Sequence, residues 1–512
     1  MYIFKILARL GAKAFLTLGV AAVLLASPAA AWATPWLRAE TPRFVIYSNG
    51  SEATLRKYAE RVELLDAVFW AVYGLERPAA PPRKLPIYLV EDLKQMRLVS
   101  PGLPDNVAGF YSADPLEIFA MGLSDPGNDY VLLHEYIHHL MLQYFPYGYP
   151  AWFVEGYAEY FMNSTVDESA IKVGLVTGRL DNLVGNNWLP FEDVLSKRVF
   201  EIPQPRRSTF YAQAWLMTHY LVSDPQRAEQ LKAYLTAVGQ GQKSLDAMQQ
   251  ATGLTPDAWK NRMRTYVSGQ LRYTQLKRAD FPKAPVEITK LPASTEDLLL
   301  DDMHVKTGVS PQYREGLLAQ IRTKAARYPD DAFAQFALAR AEVEIGDPQA
   351  GAAILKRRLA ANPKDVEAIA LEAKRLMAEG DATPAVRAER YNQAGALLAT
   401  AFKLDPARYQ TLFDFAQSRS GEANYPSDNT LTALLMALKL APQVGEIRME
   451  AAQGLIKRNR TKEASAVLVP LANSPHGGAL AKQAQDLLAT ISPTGSAANA
   501  AAPAAQAAEV KR

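Results

Sequence analysis

Hydrophobic positions recur along this chain at two periods, and the dominant period changes with position. Arg43-Phe44-Val45-Ile46-Tyr47 has the make-up of a strand and is ended by Ser48-Asn49-Gly50. From Ala53 to Tyr73 the apolar residues Leu55, Tyr58, Val62, Leu65, Val68 and Phe69 recur at helical spacing, which predicts one long helix. Leu85-Pro86-Ile87-Tyr88-Leu89-Val90 reads as a second strand, with Pro86 pointing to a sheet edge or a strand start. Gly109-Phe110-Tyr111 and Ile118-Phe119-Ala120-Met121 read as two more, joined through Asp114-Pro115. Helical patterns then dominate from about Asn128 to Leu271. Residues 34–274 are therefore expected to form one α+β unit, strands first and helices after.

A proline-bearing stretch follows. Residues 275–298 hold Pro282, Pro285 and Pro292 and read as a linker with one short strand at Val286-Glu287-Ile288. Over 299–492 the composition shifts to Ala, Leu, Arg and Glu with helical periodicity. Prolines recur at Pro329, Pro363, Pro406, Pro442 and Pro475, at intervals of 34, 43, 36 and 33 residues. A helical period near 34 with proline at its end marks tetratricopeptide repeats. Leu338-Ala339, Gly346-Asp347, Gly351 and Leu355 put small and apolar residues where the two helices of such a repeat meet. The long interval implies an insertion near Ala382-Thr383-Pro384. The expectation is a degenerate, all-α tetratricopeptide-like superhelix with a concave surface for a protein partner or substrate. An unrelated Ala-rich helical bundle is the alternative. Residues 493–512 are an Ala-rich tail without a core-forming period, expected to be disordered.

The first 33 residues follow a third pattern. Lys5, Arg9 and Lys13 precede an apolar core from Ala14 to Ala26, broken by Ser27-Pro28. Ala31-Trp32-Ala33 then places small residues where a signal peptidase reads them, so 1–33 reads as a signal peptide. An uncleaved anchor is the alternative, because Ala14 to Leu37 carries no charge. Either way the bulk of the chain is expected outside the cytoplasm, periplasmic or secreted. The net charge of +3 falls to zero without the three cations of that segment. Nothing in the charge argues for nucleic acid or an anionic membrane. No later stretch can span a bilayer. The absence of cysteine excludes a disulfide framework, a thiolate metal site, a Cys nucleophile and a lipid-modified N-terminal Cys.

The chemistry concentrates at His134-Glu135-Tyr136-Ile137-His138. Three of the six histidines, His134, His138 and His139, fall within six residues of an apolar helical run. Residues i and i+4 share a helix face, so His134 and His138 can direct two imidazoles at one tetrahedral ion. Glu135 lies about 100° further round the helix and reaches a bound water without being a ligand. A third ligand is required. Met141 and Tyr144 stand where a metzincin has Gly and His, which excludes that class. After a turn at Pro146, Gly148 and Pro150, a second helix opens at Ala151-Trp152-Phe153-Val154-Glu155-Gly156-Tyr157-Ala158-Glu159. Its two carboxylates, Glu155 and Glu159, are costly in an apolar helix unless paired or on metal.

Here the chain resembles the gluzincin metallopeptidases, in which a downstream helix bearing Glu-Gly supplies the third zinc ligand. Trp152-Phe153-Val154-Glu155-Gly156-Tyr157-Ala158 is similar to their Trp-Leu-x-Glu-Gly-x-Ala motif. The resemblance implies zinc held by His134, His138 and Glu155, with Glu135 as general base and Glu159 as the carboxylate that orients a ligand imidazole. It extends over roughly residues 40–270, following the order of elements in secreted bacterial gluzincin domains of largely unassigned function. Tyr211, in Phe210-Tyr211-Ala212-Gln213-Ala214-Trp215, matches the Tyr that stabilises the oxyanion in such enzymes. Two features depart from the family. His138 and Glu155 are separated by 16 residues, slightly fewer than in aminopeptidase-type members. The edge strand, read as Phe119-Ala120-Met121-Gly122, lacks the Glu that grips a substrate α-amine. The expectation is thus an exported zinc endopeptidase whose edge strand near Phe119 pairs with an extended peptide.

The competing expectation is a non-catalytic binding or scaffold protein that acts through the repeats, with a structural or silent zinc site. Other motifs carry less. Gly239-Gln240-Gly241-Gln242-Lys243-Ser244 lacks the Gly before Lys and the leading strand of a phosphate loop. His139 is off the metal face and is expected to pack or hydrogen-bond nearby. His219 reads as a satisfied, partly buried histidine, and His304 and His476 carry no signal.

Overall fold

The computed structural model describes residues 35–491, apart from 80, 82, 125–128, 177, 184–186 and 476. The proposed signal peptide, the Ala-rich tail and His476 lie outside the described residues. The chain opens with β1 (Leu37–Glu40), β2 (Phe44–Ser48), α1 (Glu52–Val72), β3 (Leu85–Val90), α2 (Leu93–Val99), β4 (Gly109–Ala113) and β5 (Ile118–Leu123). Helices α3 (Asp129–Tyr144) and α4 (Ala151–Met162) follow, then the hairpin β6 (Thr165–Val166) and β7 (Ala170–Val173). Next come α5 (Phe191–Ser196), α6 (Arg207–Val222), α7 (Pro225–Gly239), α8 (Ser244–Thr252) and α9 (Pro256–Val267). Each predicted strand and the long helix α1 are present to within a few residues. Helix α1 starts where the Ser51 side chain accepts from the Thr54 amide, and its stripe of Leu55, Tyr58, Val62, Leu65, Val68 and Phe69 is buried.

Six strands form the main sheet in the order β4-β5-β3-β2-β1-β9, where β9 is Glu287–Lys290. β2, β3 and β5 run parallel; β4, β1 and β9 are each antiparallel to the strand they join. Alternation along β3 and β5 separates two cores. Ile87, Leu89, Ile118 and Ala120 pack with α1 and α3, whereas Tyr88, Val90, Phe119 and Met121 pack with α2 and the later helix α10 (Ser294–Lys306). Pro86 sits at the start of β3, inside the sheet rather than on its rim.

Two expectations change. Phe119 does not lie on an edge strand: β5 runs between β4 and β3, Phe119 is fully buried, and the edge is β4. The reason is that the Asp114-Pro115 turn folds β4 back onto the outside of β5. The supposed linker is also built into the sheets. β8 (Thr274–Lys277) pairs with β7 over four residues, and β9 pairs with β1 over another four. Proline there shapes turns between paired strands instead of marking a free tether.

Beyond β9 the chain is helical. After α10 come α11 (Pro311–Ala325), α12 (Ala332–Ile345), α13 (Pro348–Ala361), α14 (Val366–Ala382) and α15 (Arg387–Leu404). Then follow α16 (Tyr409–Gln417), α17 (Asp428–Leu440), α18 (Gly445–Lys457), α19 (Thr461–Ala472) and α20 (Gly478–Ile491). Neighbours form hairpins; Arg358 near the end of α13 donates to the carbonyl of Ala332 at the start of α12, at 3.1 Å. The five recurrent prolines all fall in links after a helix pair. The long 43-residue interval comes from length, since α14 and α15 have 17 and 18 residues against 14 each for α12 and α13. The helical half is not separate from the sheet. α10 covers one face, and on the other the core of α1 and α3 continues into Tyr409, Leu412, Phe413, Leu434, Val444 and Ile447. No described helix is long and apolar enough to cross a membrane.

Candidate metal centre

Helix α3 enters the core because ten of its sixteen residues are aliphatic or aromatic, and it lies close against the sheet. A side chain on Gly122 of β5 would stand 2.7 Å from Leu132, so only glycine lets α3 settle there. Behind it, the Tyr136 hydroxyl donates to Asp66 of α1, and Asp66 also pairs with Arg43 at 3.1 Å and with Arg77. Arg77 reaches Glu63 as well, at 2.6 Å. This buried network of charges fixes the rotation of α3 about its axis. His134 and His138 then face away from Asp66 and towards α4.

Every residue of α4 is buried, Glu155 and Glu159 included. His134 Nε2 lies 3.0 Å from His138 Nε2 and 3.3 Å from Glu155 Oε2, and His138 Nε2 lies 3.6 Å from that same oxygen. These three atoms form a triangle that can hold a metal ion. A tetrahedral first-row ion with bonds of about 2.0–2.1 Å has ligand-to-ligand edges of about 3.3 Å. The triangle fits that size, and its two nitrogens and one carboxylate oxygen leave one corner open. Burial works against charge on the His134 ring. The hydrogen bond and charge of Glu155, joined by Glu159 and Glu135, outweigh it and push its pKa up to about 9. The same negative surroundings favour a cation, which would bind in exchange for that proton.

The remaining predicted residues fall around this triangle. Glu159 Oε1 is 3.8 Å from His134 Nδ1, on the ring edge opposite the triangle and just beyond hydrogen-bond length. Glu135 is half-buried on α3, and its charge bears on both His134 and Tyr111. Tyr211 on α6 sets its ring 6.3 Å from that of His134, at 69°. The approach of α6 depends on Gly156: a side chain there would meet the Ala214 carbonyl at 2.3 Å and Thr218 Oγ1 at 2.5 Å. Glu155 thus faces the triangle while its neighbour Gly156 admits the helix that carries Tyr211.

His139 points away from the triangle, where the Tyr111 hydroxyl lies 3.0 Å from its Nδ1 and burial pushes its pKa down to about 3. It stays neutral. His219 is buried with Nδ1 2.8 Å from the Tyr266 hydroxyl, a satisfied histidine away from the ion site. Three residues near the site carried no sequence signal beyond their element: Tyr111 on β4, and Tyr409 and Gln443 from the helical half. No spacing or motif could have brought Tyr409 to the turn after β4 or Gln443 to α3, each some 300 positions away.

No protein-family model matches the chain, and no curated protein matches it. Among solved structures, a thermophilic TPR protein of Thermus thermophilus is 18% identical, with a TM-score of 0.33, over 38% of this chain and 100% of that one. At that score the likeness carries no argument about this chain.

Proposed function

We propose that this chain is a zinc-dependent metallopeptidase of the gluzincin type, acting as an endopeptidase. The observation that carries the reading is the buried triangle of His134, His138 and Glu155, with edges of 3.0, 3.3 and 3.6 Å and Glu135 on the next position of the same helix. His134, His138 and Glu155 would hold the ion, and Glu159 would keep the His134 ring turned towards it. When bound, zinc acidifies a water and polarises a carbonyl. Glu135 takes the proton of the attacking water and returns it to the departing amide nitrogen. The Tyr211 hydroxyl donates to the oxyanion as it develops.

The place for substrate is β4. The Leu123 amide donates to Ala108 and the Asp114 amide to Glu117, so even-numbered residues bond to β5. Gly109, Tyr111 and Ala113 therefore turn their amides and carbonyls outward. No described strand pairs with that edge. An extended peptide adds there as a further strand. Reading 1–33 as an export signal, we put the reaction outside the cytoplasm.

The test is Glu135→Gln in the full chain. Zinc content should be unchanged while hydrolysis of unfolded protein falls by several orders of magnitude, and a chelator should abolish it in the parent. Zinc lost with the base would make Glu135 a ligand. Full zinc occupancy without hydrolysis in the parent would leave the second reading, a scaffold with a structural ion acting through its helical array.

A further inference from the structure

An edge strand is hydrogen-bonded on one side only, so its position depends on what else holds it. In β4 the other holders are the metal helix α3 and the helical half. The Tyr111 hydroxyl, 3.0 Å from His139 on the metal helix, also faces the side chain of Gln443 in the turn between α17 and α18. Gln443 Nε2 donates to Gln143 Oε1 at 2.9 Å, and Gln143 Nε2 donates back to the Leu440 carbonyl at 3.3 Å. His139 and Gln143 are one turn apart on α3. Gln443 thus ties the helical half to the helix that carries His134 and His138, one turn from the His139 ring that meets Tyr111 of β4. The turn after β4 is held as well: the Tyr409 hydroxyl donates to the Asp114 carbonyl at 3.0 Å, and Gln410 Nε2 to the Leu116 carbonyl at 3.1 Å.

We propose that Gln443 is a positioning residue of the peptide cleft, through which the helical half sets the place of β4 beside the metal triangle. The proposal rests on the peptidase reading, since it gives β4 the task of aligning substrate. Gln443 touches neither the ion nor the reacting atoms. Its effect is on substrate alignment: a long peptide that pairs along β4 feels a displaced strand, and a short one that does not reach it is indifferent. A ligand of the helical half that moves the α17–α18 turn would act on the affinity for long substrates alone.

The experiment uses the full, zinc-loaded chain with Gln443→Ala. Deuterium uptake over 109–113 and the kinetics of a long and a short peptide are measured. Loss of one such hydrogen bond should speed exchange in β4 by about tenfold and raise KM for the long peptide by about tenfold. The kcat for both peptides, the KM for the short one and the zinc content should not change. If Gln443→Ala does not fold, Gln443→Asn, whose side chain is one methylene shorter and draws its amide away from Gln143, carries the same measurements. Unchanged exchange in β4 overturns the proposal, as does a fall in kcat on both peptides without a change in KM. If the parent hydrolyses nothing, the peptidase reading falls by itself; faster exchange in the variant still supports the tie between Gln443 and β4.

Discussion

Replacing Gly156 by alanine tests the link between the metal helix pair and the proposed oxyanion donor. The added methyl would stand 2.3 Å from the Ala214 carbonyl and 2.5 Å from Thr218 Oγ1, where ordinary contact begins at 3.4 Å. The nearer obstacle is backbone, so no rotamer change relieves it and α4 and α6 must part by about 1 Å. Overpacking of this kind costs about 1–3 kcal/mol. Against it stands the gain of about 0.5–1 kcal/mol that alanine brings to a helix interior. The net expectation is a loss of up to about 2.5 kcal/mol, opposite in sign to helix propensity. Tyr211 lies three positions before Ala214 on α6 and shifts with the contact. A displacement of about 1 Å can cost on the order of 100-fold in rate. The assay is the urea midpoint at constant slope, together with turnover at saturating zinc. Gly316→Ala is the control, because Gly316 is exposed in the interior of α11 with nothing within 4 Å. It should stabilise. If Gly156→Ala behaves like that control and keeps its turnover, close packing is not why glycine follows Glu155.

Zinc titration separates the two carboxylates of α4: Glu155→Ala should abolish stable binding, and Glu159→Ala should weaken it by about 10- to 100-fold. The reverse order would move the third ligand one turn along the helix. Cutting the chain before Pro285 should give an insoluble or metal-free N-terminal fragment, since the cut removes β9 from β1 and bares the core shared with Tyr409 and Val444. A soluble, metal-loaded fragment would refute that coupling. Burial pushes the Asp114 carboxyl up to about 6, despite the Glu117 and Leu116 amides that donate to it. Its folded pKa exceeds the unfolded one, so its contribution to stability is full below about pH 4 and lost as pH rises through about 6. Asp114→Asn should therefore gain up to about 3 kcal/mol on the parent between pH 4 and 7, read by denaturant unfolding, with no gain below pH 4. A pH-independent difference would mean that the carboxyl is not held up by burial.

Local pattern was enough for much of this molecule. The helical stripe of α1, the strands of the main sheet other than β1 and the recurrent prolines of the helical half were legible because each depends on neighbours a few residues apart. The same holds for the candidate site. His134 and His138 share a face by helical geometry alone, and two carboxylates in an apolar helix announced themselves by the cost of burying them. What the pattern left open was every decision made between distant segments. Both Glu155 and Glu159 fit the spacing, and only the packing of α4 on α3 turns Glu155 Oε2 towards both imidazole nitrogens and Glu159 towards the far edge of His134. Strand character says nothing about neighbours, so Phe119 read as an edge residue until β4 folded outside β5. Proline and polar residues read as a linker because their strand partners, β1 and β7, lie more than a hundred residues upstream. Gln443 had no signal at all. Its role comes from burial of α16–α18 against α3, a free-energy gain summed over a whole interface that no short stretch of sequence contains.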